Sequence, residues 1–212
     1  LKDPKVWEAL LQNLALTAII RNLGNMTKIG LLTAQSAATS YVNAKIQDEV
    51  ALKAARVHPI QLLSALLTYK RGSSVRGSGE WKTVTSIVNA LDAGFYKAFG
   101  NVEPSGKRTL LALDVSGSMS YGEIAGVPGL TPRVGSAAMA LITASVESDY
   151  HVVGFTAGRG YSYSSRNNQD LDGIIPLDVT PRRRLDDVIR TVSNLDFGGT
   201  DCALPMLYAL KH

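Results

Sequence analysis

The stretch TLLALDVSGSMS, residues 109–120, decides the fold of the second half of the chain. Thr109 to Val115 is a short apolar run of the kind that forms a buried strand, and it leads into a carboxylate, hydroxyls and a glycine. Downstream, Arg133 to Val146 carries apolar residues at helical spacing, and YHVVGF (150–155) is again short and β-prone. Strand, helix, strand in that order predicts a right-handed βαβ unit with parallel strands. A further strand is expected over Ile174 to Val179, then a helix from Arg184 to Asn194 and another beginning near Cys202.

In such α/β domains ligands bind outside the carboxyl ends of the strands, which is where Asp114, Ser116 and Ser118 fall. A tight turn at Gly117 folds the three side chains toward one point, and hard oxygen donors suit Mg²⁺ or another hard divalent cation. The same residues also suit a turn that caps the following helix, so these three alone leave both readings open. The distant run FGGTD (197–201) favours the metal: Gly198 and Gly199 allow a close turn, and Thr200 offers another hydroxyl at a helix start. Asp201 belongs to the same loop and is not counted as a ligand. Catalysis fits poorly. A phosphatase with a strand-end Asp nucleophile needs a second acid two residues on, where Ser116 stands, and no motif links His58, His151 or His212 to either serine.

Working outward, the first half has a different period and a different charge. From Lys5 to Phe99 apolar residues recur at helical spacing, as in Val6, Leu10, Leu11, Leu14 and in Ile60, Leu63, Leu66, Leu67. Gly24 and Gly30 break the pattern, Pro59 starts a helix at its first turn with His58 a structural residue before it, and Asp48 and Glu49 open a segment running to Arg56. GSSVRGSG (72–79) is a Gly/Ser-rich loop bordered by Lys70, Arg71 and Lys82. Successive helical hairpins of this kind are compatible with a HEAT-like solenoid. The division is therefore a helical segment over 1–101, a linker over 102–108 and an α/β domain over 109–212. Residues 1–108 carry a net charge of +7 and residues 109–212 a net −3, which together make the chain's +4. A basic half points to a polyanion such as nucleic acid, because Lys and Arg displace condensed counterions from phosphates.

With 45% hydrophobic residues and no apolar run near the ~18 residues that a membrane helix needs, the chain reads as globular, not disordered and not membrane-spanning. The single Cys202 excludes an internal disulfide and suits a reducing compartment, so a cytoplasmic, non-secreted protein is expected. The chain begins without methionine, which suggests a processed product or part of something longer.

The Asp-x-Ser-x-Ser turn with Thr200 resembles the metal-ion-dependent adhesion site of von Willebrand factor A domains, and Asp114, Ser116, Ser118 and Thr200 match it residue by residue. That resemblance implies a bound divalent cation, Mg²⁺ being expected, with an open position for an acidic group of a partner or for water. A further Asp, from a loop after the next strand, usually completes the metal shell in that family, and the chain stops before it. IIRNLGNMT (19–27), AARVHP (54–59), LTYKR (67–71), LDAGFYKAF (91–99) and VEPSGKR (102–108), followed by the metal turn and GGTD, resemble the Ro autoantigen family over nearly the whole chain. There a TROVE ring of HEAT-like helices precedes a von Willebrand A domain with a Rossmann-like parallel sheet.

The Ro resemblance implies a non-enzymatic protein of RNA quality control. It would bind small noncoding Y-like RNA and the single-stranded 3′ ends of misfolded RNA, with an acidic protein partner or an exoribonuclease at the metal site. The alternative is a metal-dependent protein-interaction adaptor whose helices are only scaffold. The chain matches the family from partway through the ring to partway through the A domain. In the family's sheet order that leaves the open edge of Thr109 to Val115 to be covered by a longer chain or a second one. For RNA contacts the expected residues are Arg21, Lys28, Lys53, Arg56, Lys70, Arg71 and Arg76, with Lys53 and Arg56 sharing a helix face. Trp81 could stack on a base, though core packing is the stronger reading, and Arg182, Arg183 and Arg184 are balanced by Asp186 and Asp187.

Overall fold

The structure, a computed structural model, describes residues 3–75, 79–157, 173–195 and 199–212. The chain divides into two compact units, Leu1–Glu103 with Ala125–Gly129, and Pro104–Ile124 with Leu130–His212.

The first unit is helical: α1 (Pro4–Leu11), α2 (Leu16–Lys28), α3 (Ala37–Gln47), α4 (Glu49–Ala54), α5 (Pro59–Arg71) and α6 (Thr85–Lys97), the last followed by a 3-10 turn over Ala98–Asn101. Local chemistry sets several of the starts. Asp3 accepts from the Lys5 amide ahead of α1, Ser36 from Thr39 ahead of α3, and Asp48 from Val50 and Ala51 ahead of α4. Pro59 starts α5 as its spacing predicts, and His58 is the structural residue expected there. Its Nδ1 accepts from the Ile60 amide while Gln61 Oε1 accepts from the His58 amide, a reciprocal capping box.

Gly30 ends α2 as expected: its φ is +82° and the Leu31 amide reaches back to the Met26 carbonyl. Gly24 does not break the helix. It lies inside α2 because Trp81 packs against it, and a β-carbon there would stand 2.6 Å from the indole ring. The cost of glycine within a helix, about 1 kcal/mol, is offset by that packing. The segment expected to reach Arg56 also stops early, at Ala54, and Arg56 takes the left-handed region with φ +49°. Lys53 and Arg56 therefore do not share a helix face. Inside the unit α6 packs on α3 and α5, and α2 on α5, around Leu23, Met26, Ile46, Leu62, Leu91 and Phe95, each at most 2% exposed. Burying side chains of this size is worth about 1.5–3 kcal/mol apiece.

The second unit contains β1 (Thr109–Asp114), a 3-10 turn over Gly117–Ser120, α7 (Pro132–Val146), β2 (Tyr150–Phe155), β3 (Ile174–Pro176), α8 (Leu185–Ser193) and α9 (Leu204–Lys211). The β1–α7–β2 order is the one the sequence predicts. β1 and β2 pair in parallel from Thr109 opposite Tyr150 to Asp114 opposite Phe155. The expected all-parallel sheet needs correction, because β3 runs antiparallel to β2 and the three-stranded sheet is mixed, in the order β1-β2-β3. A parallel partner needs a crossover, usually helical. The sequence between β2 and β3 is rich in Gly, Ser, Asn and Asp and carries no apolar helical period.

Among the described residues β1 pairs with one strand only, and it is less buried than β2, where Val152 and Val153 are at most 3% exposed. α7 supplies Ala137, Ala138, Leu141 and Ile142 to the core and packs against β1 and α8. α9 has no buried residue, and its Met206 and Leu210 are 72% and 84% exposed.

Candidate functional site

At the carboxyl end of β1 the chain turns on its own polar groups. Asp114 Oδ1 accepts from the Ser116 amide at 2.8 Å, which folds the turn back over the strand end. The hydroxyls of Ser116 and Ser118 then stand 3.0 Å apart. Ser116 is buried, whereas Ser118 is exposed.

Thr200 arrives from the far loop because the parallel register brings the two strand ends side by side. Just past β2, the Ala157 amide donates to the Gly199 carbonyl at 2.7 Å, and the next residue's hydroxyl, Thr200 Oγ1, lies 3.4 Å from Asp114 Oδ2. The four residues named from the sequence thus lie at one place. Gly198, also named for this loop, lies outside the described residues. Asp201 turns away from the cluster in its bonding: its Oδ1 accepts from the Ala203 amide ahead of α9.

A fifth residue, which the sequence reading missed, holds the turn from beneath. Arg133, at the second position of α7 and 4% exposed, donates through Nη2 to the carbonyls of Ser116 at 2.9 Å and Val115 at 3.3 Å. Burial pulls its pKa below the ordinary arginine value, and the negative charge of Asp114 opposes that pull. One signal was available. A cation in the first turn of a helix opposes the helix dipole, so an arginine directly after Pro132 in an apolar helix needs a partner to hold it there.

The donors fit a hard cation. Mg²⁺ binds oxygen octahedrally at about 2.0–2.1 Å, so neighbouring ligands stand about 2.9 Å apart, close to the separation of the two serine hydroxyls. One carboxylate and three hydroxyls also match the hardness that Mg²⁺ prefers over a nitrogen or sulfur set. Among the described residues no cluster of three or more His, Cys, Asp and Glu gathers elsewhere. His58 caps α5, His151 Nε2 hydrogen-bonds the Tyr208 hydroxyl at 2.8 Å, and the His212 ring packs on Tyr208.

In the helical unit Arg21, Lys28, Lys53, Arg56, Lys70 and Arg71 are all exposed, and none forms an ion pair with another described residue. Arg76 lies outside the described residues. Arg21 and Lys28 are seven apart on α2 and so share one face about 10.5 Å apart along the axis. Lys70 and Arg71 form the last turn of α5, where positive charge meets the negative end of the helix dipole. Trp81 stacks on Tyr69 and donates its Nε1–H to the Tyr69 carbonyl at 3.1 Å. Arg184 pairs with Asp186 as expected, whereas Arg183 pairs with Asp178 and Asp187 pairs with Arg190. No helix among the described residues is long and apolar enough to cross a membrane.

Comparison with known proteins matches residues 1–68 to the TROVE domain and residues 108–212 to the Ro60 vWA domain. The RNA-binding protein RO60 of Deinococcus radiodurans is 42% identical over 211 residues, covering 99% of this chain and 37% of that protein. The RNA-binding protein RO60 of Caenorhabditis elegans is 37% identical over 213 residues, covering 100% of this chain and 30% of that protein. The crystal structure of the Deinococcus radiodurans RO (RSR) protein superposes with a TM-score of 0.85 at 43% identity, covering 97% of this chain and 39% of that one. The chain thus spans between 30% and 37% of the length of these curated relatives.

Proposed function

The chain belongs to the Ro family, a TROVE segment followed by a Ro60-type von Willebrand A domain, and from that premise we propose that it binds RNA through the cationic surface of its helical unit. The observation that carries this reading is the set of exposed cations on α2, α4 and α5 that form no ion pair among the described residues, together with relatives whose names describe RNA binding. Cations without carboxylate partners keep their full charge for phosphates, and the counterions that they release supply affinity. The RNA class is small noncoding Y-like RNA and the single-stranded ends of misfolded RNA, recognised by shape and by unpaired bases. The protein binds and does not turn over its RNA.

The same reading gives the second unit a divalent cation held by Asp114, Ser116, Ser118 and Thr200, Mg²⁺ by donor chemistry. The 3.0 Å spacing of the serine hydroxyls supports it. When bound, the ion supplies an electrophilic position for a carboxylate of an acidic protein partner, an exoribonuclease among them. Arg133 keeps the hydroxyl-bearing turn in one conformation, and Asp114 orders that turn through the Ser116 amide.

Gel-shift titration of the full-length protein with a structured RNA carrying a single-stranded 3′ tail tests the RNA reading. Affinity should fall steeply with salt. Changing Lys53, Arg56, Lys70, Arg71 and Arg76 to Gln should weaken binding and flatten the salt dependence by about 0.7 to 0.9 for each phosphate that is no longer neutralised. Absence of binding by the unmutated protein refutes it and leaves the protein-interaction adaptor as the better account.

A further inference from the structure

Between α2 and α5 lies a groove of about 550 Å³, a size ordinary for a small-ligand site. α2 contributes Arg21 and Asn25 to it, α5 contributes Gln61, Ser64 and Thr68, and Trp81 also lines it. Helical arithmetic explains the alignment: Gln61, Ser64 and Thr68 recur at three and four residues, as does one face of α2 from Thr17 through Arg21 and Gly24 to Lys28. Arg71 comes one turn after Thr68. The groove therefore joins aliphatic groups such as Ile20, Leu23 and Ile60 to an aromatic ring, amides and hydroxyls, with Arg21 its charged lining residue.

We propose that this groove receives an unstacked nucleobase of single-stranded RNA, with Arg21 holding the adjoining phosphate and Lys28 and Arg71 extending the cationic track. The proposal rests on the RNA-binding reading above and names a subsite for it. A base is flat, with apolar faces and a polar edge, which is the complement of this lining. The indole N–H is already spent on the Tyr69 carbonyl, and the half-buried ring would meet the base through the part that Tyr69 and Gly24 leave uncovered. Gln61 Oε1 is engaged by the His58 amide, which leaves its NH₂ to donate. The Ser64 hydroxyl donates to the Ile60 carbonyl, which leaves its lone pairs to accept. A base carrying a carbonyl and an N–H on one edge, such as uracil, meets both. An acidic amphipathic helix has its backbone amides bonded internally, so it would use the cations and meet these polar groups only through its side chains.

The test uses the full-length protein and a short fluorescein-labelled oligouridylate. Ser64→Phe fills the groove without changing charge and should weaken binding by about 5- to 150-fold, the range for losing one stacked base, with the salt slope unchanged. Arg21→Gln should instead lower that slope by about 0.7. A 5-iodouridine oligonucleotide irradiated with the unmutated protein should crosslink to the peptide containing Trp81, read by mass spectrometry, a result independent of how any variant folds. If the unmutated protein binds the oligonucleotide but Ser64→Phe does so equally well and the crosslink maps elsewhere, the groove is wrong and RNA binding stands. If the unmutated protein binds neither oligouridylate nor structured RNA, the functional reading falls and the groove with it. Binding of an acidic peptide that Ser64→Phe abolishes, with oligouridylate affinity untouched, overturns the proposal in favour of a peptide groove.

Discussion

Replacing Arg133 by Met keeps the length and apolar stem of the side chain and removes the guanidinium that ties α7 to the turn after β1. The hydrogen bonds to the carbonyls of Ser116 and Val115 disappear. Bonds that involve a charged group are each worth about 1.5–3 kcal/mol, and part is recovered because a costly buried charge goes with them. A net loss of about 2 kcal/mol follows, a sizeable share of the 5–15 kcal/mol that holds a typical domain together. For a unit of this size that lowers the melting temperature by about 8–16 °C. Differential scanning calorimetry measures the shift. Hydrogen exchange read by mass spectrometry on the peptide covering residues 109–120 localises it, since protection should drop there and persist in α5. A variant that melts within about 0.5 kcal/mol of the unmutated protein, with exchange in that peptide unchanged, refutes the claim that Arg133 holds the turn.

Asp114→Ala should abolish Mg²⁺ and Mn²⁺ binding measured by isothermal titration calorimetry, and unchanged affinity would show that the cation is not held at the end of β1. Glu147, at the end of α7, accepts from the amides of Ser105 at 2.6 Å and Gly106 at 3.2 Å, and these donors, Ser105 first, hold its pKa below the ordinary glutamate value. A carboxylate depressed in the folded state contributes stability that is present above its unfolded pKa and lost as pH falls through the folded one. The unmutated protein should therefore lose melting temperature in acid more steeply than Glu147→Gln, and parallel profiles would contradict this. Gly24→Ala gains about 1 kcal/mol of helix propensity but drives a methyl into the Trp81 ring, so the net effect should be destabilising by about 1–2 kcal/mol. Urea melts followed by tryptophan emission report it, and a more stable variant would show that the ring moves aside at little cost.

Features set by neighbouring residues are legible in the sequence. Pro59 at the first turn and Gly72 in the left-handed conformation bracket α5 within a few bonds of chain, and YHVVGF coincides with β2 residue for residue. Asp114, Ser116 and Ser118 lie within one turn, so their convergence needs only local geometry. Gly24 reads as a breaker because the residue that fills its missing side chain, Trp81, is far along the chain. Arg56 reads as helical because nothing in its neighbours announces that the chain leaves α4 two residues earlier. The direction of β3 escapes the sequence because strand polarity depends on the path of the connection, and composition alone does not specify it.

By itself the sequence determined the elements and their chemistry: helices of one charge, a βαβ unit of the other, and a carboxylate with hydroxyls at the end of a strand. Tertiary structure decided which of those groups meet. Thr200 reaches Asp114 across 86 residues because parallel pairing sets the ends of β1 and β2 side by side. Arg133 is buried under the turn because α7 packs back over the sheet, and Arg21 faces Gln61 and Ser64 because α2 packs on α5. Periodicity describes the residues within a few turns of one another, whereas a site is made by packing between elements, and the energy of that packing is summed over the whole core.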